Sequence, residues 1–189
     1  MRRLPLLAGL IALAGLSVAR AETPPAAPAP AARPASAPAP SRTAEIKGPT
    51  GAVVGHVSLW DTPGGVLIRL DVSGLAPGWH GLHLHQTADC TGPAFTGAGS
   101  HMHAAQAGTH GFLSASGPEA GDLPNLFVGQ DGHGSAEVFT ARVRMAADGD
   151  LPAVLDADGS ALVIHAAADD QFTQPTGGSG ARIACAVLR

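Results

Sequence analysis

The chain lacks several things, and each absence removes a class of protein. No apolar run is long enough to cross a bilayer as a helix. The most apolar stretch, residues 4–18, is about 15 residues, where a span needs roughly 20. There is no basic surplus. Eleven Lys and Arg stand against 15 Asp and Glu, a formal net charge of −4, which argues against nucleic acid or an anionic membrane as partner. No long amphipathic pattern of helical period is present, which argues against a helical bundle. Cysteine is scarce, with Cys90 and Cys185 alone, and neither lies near residue 21, where a lipid anchor would need one.

What is present begins with MRRLPLLAGLIALAGLSVARA. A basic start, an apolar centre and Ala19-Arg20-Ala21 make the three-part pattern of a secretory signal peptide, expected over residues 1–21. Its removal would take away three arginines and no acid, moving the net charge to −7. A periplasmic or secreted location follows, with no membrane association afterwards. In such a compartment an even cysteine count suggests a disulfide, the alternative being two free buried thiols. Residues 22–43, ETPPAAPAPAARPASAPAPSRT, are dominated by alanine and proline and carry no large apolar side chains. They read as a disordered spacer.

From Ala44 to Arg189 the composition changes to glycine and β-branched residues with regular turn punctuation. Strands are expected at 52–60, 66–72, 80–86, 136–143, 161–165 and 182–188, which favours an antiparallel sandwich or barrel. The stretch from Thr87 to Asn125 is long, glycine-rich and poor in strand patterns, and such loops tend to carry function.

The histidines are the chemical signal. In WHGLHLH, His83 and His85 sit two apart on an expected strand, so their side chains share one face. His101, His103 and His110 lie in the long loop, with Asp122 beyond them, and His165 ends the strand ALVIH. Imidazoles plus a carboxylate, without a ligand cysteine, suit copper, zinc or nickel. A hydrolytic zinc site could be built from the same types, and spacing alone does not choose.

Taken jointly, GWHGLHLH (78–85), GSHMH (99–103), THG (109–111), GDLPNL (121–126), ALVIHAAADD (161–170) and GSGARIACAV (178–187) resemble the copper–zinc superoxide dismutases, in particular their exported bacterial branch. The resemblance implies an all-β, Greek-key antiparallel β-sandwich or flattened barrel with long metal-binding loops. It implies dismutation of superoxide, a small anion, to dioxygen and hydrogen peroxide at an imidazole-ligated copper ion. His83, His85, His101 and His165 fall on copper ligands. His101 falls on the imidazole shared with zinc and is implied to move a proton, and His110 and Asp122 fall on zinc ligands. Asp169 falls on a carboxylate linking the two sites, and His80 on a structural histidine behind the copper. Arg182 falls on the arginine that attracts the anion, and Cys90 and Cys185 on a disulfide. A homodimer is left open. His56 and His133 match no ligand position and are expected at the surface. His103 is expected in the loop, with a lesser claim as a stand-in ligand.

Two departures stand out. The resemblance asks for a zinc-binding histidine three residues before Asp122, and Glu119 stands there. A carboxylate can complete a zinc tetrahedron, so zinc is expected at an altered site. The resemblance also asks for lysines around the channel, yet residues 86–100 and 171–181 contain no Lys or Arg. A slower, less salt-sensitive enzyme is expected. The alternative is an exported copper-binding or buffering protein on the same fold with little turnover.

Overall fold

Period-two alternation builds the molecule. The computed structural model describes residues 38–104 and 108–189. The expected signal peptide and most of the expected spacer lie outside the described residues. The strands are β1 (Arg42–Lys47), β2 (Val53–Thr62), β3 (Gly65–Val72), β4 (Gly78–His80), β5 (Leu82–His85), β6 (Leu126–Val128), β7 (Gly134–Thr140), β8 (Ser160–His165) and β9 (Arg182–Leu188). They form one sheet in the order β4-β6-β7-β3-β2-β1-β9-β8-β5, with antiparallel pairing throughout. The two ends of that order, β4 and β5, are consecutive in the chain and joined through Gly81. The sheet is therefore a nearly closed barrel, which protects its edges. No described helix is long and apolar enough to cross a membrane.

The sequence pattern explains the inside. On β3, Val66, Ile68, Leu70 and Val72 are buried, while Arg69 and Asp71 point to water. Ile46, Val57, Leu59, Leu82, Leu84, Leu123, Leu126, Leu162, Ile164 and Leu188 fill the same core. Each such side chain contributes roughly 1.5–3 kcal/mol by leaving water. β8 is buried on both faces. Leu162 and Ile164 enter the main core, and Ala161 and Val163 join a second cluster with Phe95, Ala98 and Cys185.

The structure corrects three readings. The expected strand over 80–86 is two strands that break at Gly81, with β4 pairing to β6 and β5 to β8. The folded region starts before Ala44, because Arg42 and Thr43 already pair with Leu59 and Ser58. The strand expected over 136–143 spans Gly134–Thr140. β1 and β6 escaped the pattern because β1 follows directly on the proline-rich stretch and β6 has only three residues.

Candidate metal centre

The LHLH of β5 answers to its alternation. Leu82 and Leu84 enter the barrel core, so His83 and His85 face outward. Both are nevertheless fully buried, because chain from the long loops covers that face. Backbone bridges fix the cover: His83 pairs with Asp122 and His85 with His101. Leu84 N–H donates to Gly121 O, Met102 N–H to Leu84 O, and Gly121 N–H to Met102 O, each at 2.8–2.9 Å. Gly121 permits this approach, since a Cβ there would lie 2.2 Å from Leu84 O.

One group of donors comprises His83, His85, His101 and His165, with one ring nitrogen of each within 4.8 Å of the others and all four residues buried. His83 Nδ1, His85 Nε2, His101 Nε2 and His165 Nε2 are buried and have no hydrogen-bond partner. Their opposite nitrogens explain the orientation. His85 Nδ1–H donates to Gly99 O at 3.0 Å, and His165 Nδ1–H to Gly180 O at 3.1 Å. His83 Nε2–H donates to Asp169 Oδ2 at 2.8 Å. These contacts fix the tautomer and leave the orphaned nitrogen as a lone-pair donor. Burial pushes His85 down to about 2 and His165 down to about 3, and lowers His83 as well, so all three rings are neutral. A buried orphan nitrogen is costly, and four aimed at one another fit a metal that accepts imidazole.

A second group is His83, His101, His110 and Asp122, again within 4.8 Å of one another. His83 and His101 belong to both, and His101 has one ring nitrogen facing each way. Its Nδ1 lies 2.9 Å from Glu119 Oε2 and 3.4 Å from Asp122 Oδ1. His110 Nδ1 lies 2.8 Å from Asp122 Oδ1 and 3.8 Å from Glu119 Oε2. Glu119 is outside the four-way grouping, yet its Oε2 closes the face that His101 and His110 present. Ligands about 2.0–2.2 Å from a zinc ion in a tetrahedron are spaced on the order of 3.4 Å, so these separations fit. Burial opposes charge on His101, but the Asp122 and Glu119 carboxylates outweigh it and raise its pKa. Burial likewise opposes charge on Asp122, and hydrogen bonds from His101 and Gly111 outweigh it. Asp122 Oδ2 accepts the N–H of Gly111 at 2.7 Å and of Glu119 at 2.9 Å, which aims Oδ1 at the histidines.

Asp169 spans both groups. Besides His83, its Oδ1 accepts from His110 Nε2–H at 3.0 Å. Burial alone would raise its pKa, but hydrogen bonds from His83 and His110 hold it down to about 2. Gly177, at φ 62°, makes room, since a Cβ there would sit 1.6 Å from Asp169 Oδ1.

The remaining expected residues fall as follows. His80 is buried behind His165, with Nδ1 2.7 Å from His165 O and Nε2 2.8 Å from Ala76 O. Arg182 donates from Nη1 to Phe95 O at 2.8 Å and from Nη2 to Gly99 O at 2.6 Å. Gly99 O thus accepts from both Arg182 and His85. Cys90 and Cys185 are disulfide-bonded, with Cα atoms 5.8 Å apart. His56 and His133 are exposed. Sequence reasoning missed the side chain of Gln174, which accepts from His110 N–H at 3.0 Å and donates to His110 O at 2.8 Å. A lone glutamine in a glycine-rich loop carries no signal for that contact.

Comparison with known proteins agrees with the geometry. The family model described as copper/zinc superoxide dismutase matches residues 53–188. The chain is 46% identical over 149 residues to a superoxide dismutase [Cu-Zn] of Caulobacter vibrioides, covering 79% of this chain and 86% of that protein. It is 36% identical to superoxide dismutase [Cu-Zn] 2 of Aquifex aeolicus, covering 77% and 85%. Among solved structures it resembles a SOD-like protein from Bacillus subtilis, with a TM-score of 0.74 and 35% identity over 80% of this chain and all of that one. With the family model covering most of its length and the relatives aligned over most of theirs, the chain belongs to the copper/zinc superoxide dismutase family.

Proposed function

We propose that the chain is an exported enzyme that dismutates superoxide to dioxygen and hydrogen peroxide at a copper ion, with zinc beside it. The observation that carries this reading is the set of four buried, unpartnered imidazole nitrogens on His83, His85, His101 and His165. These four would hold copper, and copper would supply one-electron redox chemistry there. His101 Nδ1, His110 Nδ1, Asp122 Oδ1 and Glu119 Oε2 would hold zinc. Asp169 orients His83 and His110 together. His101 Nε2 can carry a proton toward the product whenever it is not engaged as a ligand. Arg182 supplies the cation that binds the anionic substrate, and Phe95 O and Gly99 O hold its guanidinium in place. Burial lowers the Arg182 pKa, but a guanidinium keeps its charge at any working pH.

Residues 1–21 would direct export to the periplasm or beyond, residues 22–43 would act largely as a tether, and the remainder would fold outside the cytoplasm. That location agrees with the disulfide. Amino-terminal sequencing of the exported protein should begin at Glu22.

A copper-buffering role on the same fold is favoured by Glu119 and by the missing channel cations. Arg182 and Asp169 argue against it, since storage needs neither. The test is the rate of superoxide decay with copper- and zinc-loaded protein, beside His165→Ala. The enzyme reading expects fast decay that the substitution lowers by at least about 100-fold, beyond the usual effect of losing an outer partner. Loaded protein that holds copper but leaves decay at background would establish buffering instead.

A further inference from the structure

Two histidines of the long loop, His101 and His103, converge on the two oxygens of one carboxylate. His101 Nδ1 lies 2.9 Å from Glu119 Oε2, and His103 Nδ1 lies 3.3 Å from Glu119 Oε1. His103 Nδ1 is itself buried and has no aligned hydrogen-bond partner among the described residues, although about a third of the side chain is exposed. An unmatched donor therefore sits beside an oxygen for which no other donor is recorded among the described residues.

The other carboxylate of this group shows what such a donor does. Asp122 Oδ2 is fixed by two backbone N–H groups, which leaves Oδ1 to face the histidines. Glu119 has a longer side chain, with one more rotatable bond to immobilise. Its oxygen toward the metal position is Oε2, so an anchor has to act on Oε1. The ring of His103 lies within reach of that role, with Nδ1 3.3 Å from Oε1, and a neutral imidazole can carry its proton there.

We propose that His103 is a positioning residue for zinc: its Nδ1–H holds Glu119 Oε1 so that Oε2 is presented as a single-oxygen ligand. This rests on the reading that Glu119 ligates zinc. In this chain a Glu119–His103 pair would then do together what one histidine does in the family pattern.

The experiment measures zinc affinity of the copper-loaded, full folded domain by chelator competition. The visible absorption of Co(II) placed in the zinc site serves as a second readout of coordination. Variants are Glu119→Ala, His103→Ala, His103→Asn and the double alanine. His103→Ala should weaken zinc about tenfold or more, the usual cost of losing an outer-shell partner, and Glu119→Ala, which removes a ligand, by at least as much. The double variant should be no weaker than Glu119→Ala alone. His103→Asn, whose amide sits near the place of Nδ1, should restore most of the affinity and the Co(II) spectrum. Copper affinity should stay within about twofold, as the copper-side rings have other anchors. Should His103→Ala fail to fold, His103→Phe keeps the ring without the donor and carries the same expectation. Unchanged zinc affinity in Glu119→Ala would overturn the ligand reading and the pair with it. Weakening in Glu119→Ala but wild-type affinity and spectrum in His103→Ala would overturn the positioning role alone. Additive losses in the double variant would also overturn it.

Discussion

The two donor groups share His83 and His101 yet are otherwise built in different ways. On the side proposed for copper, three of the four rings stand on strands β5 and β8, and two of those are aimed by backbone carbonyls. On the side proposed for zinc, His101, His110, Asp122 and Glu119 stand on loop; carboxylates meet the two rings, and backbone N–H groups fix Asp122. The electrostatics diverge accordingly. Burial dominates the copper side and drives His85 and His165 to about 2 and 3, whereas carboxylates raise His101. A strand supplies a rigid, neutral, nitrogen-only face that suits a redox metal. A loop rich in carboxylates supplies charge and takes its shape from side-chain and backbone bonds together.

The copper side is also stapled. The Cys90–Cys185 bond ties the loop carrying Gly99 and Phe95 to β9, and its loop of 95 residues predicts about 4–5 kcal/mol of stability. Cys90→Ser with Cys185→Ser should lower the unfolding free energy of the metal-free protein by that order. A loss under about 1 kcal/mol would mean that packing, not the bond, holds this region.

Asp169 touches both groups, so Asp169→Asn compares them within one molecule. Zinc affinity should fall about 10–100-fold and copper affinity less, because His85 and His165 keep their carbonyl anchors. A larger loss of copper than of zinc, read by competition with chelators, would reverse the ranking.

Acid should separate the groups in the metal-free protein. His85 and His165 have folded pKa values far below their ordinary 6.5, so the unfolded chain takes up protons first. Their contribution is complete above pH 6.5 and is lost as pH falls, about 1.4 kcal/mol for each ring per unit below it. His101, with a raised value, contributes in the opposite sense: its stabilisation is full below pH 6.5 and fades as pH rises through the folded value. Denaturant unfolding should therefore show lower stability at pH 5.5 than at 7.5. An increase would mean that the carboxylate-rich side dominates.

The smallest effect concerns the approach of substrate. Arg182 shares the acceptor Gly99 O with His85, but residues 86–100 and 171–181 add no cation. Raising salt from about 10 to about 150 mM should slow superoxide decay by less than about twofold. A steep fall would reveal steering by charges elsewhere on the surface.

The same contrast explains what the sequence made legible. His83 and His85 were readable because strand spacing puts alternate residues on one face, and His165 because it closes a strand. The barrel was readable from β2, β3, β8 and β9, whose alternation or two-sided burial leaves a strong pattern. The break at Gly81 was not, because an apolar run through a glycine reads as one strand, although its halves pair at opposite ends of the sheet. His110 and Asp122 stood out as candidate donors, but their assignment to zinc came from resemblance, since loop spacing encodes no direction. The approach of His103 to Glu119 had only the H-x-H at 101–103 as a hint, and outside a strand that spacing fixes no common face.

The most direct test of two adjoining metal sites is the copper and zinc content per chain after loading with both metals and dialysing away the excess. The account predicts one of each. Copper without zinc would contradict the carboxylate-completed site, and neither metal would contradict the account as a whole.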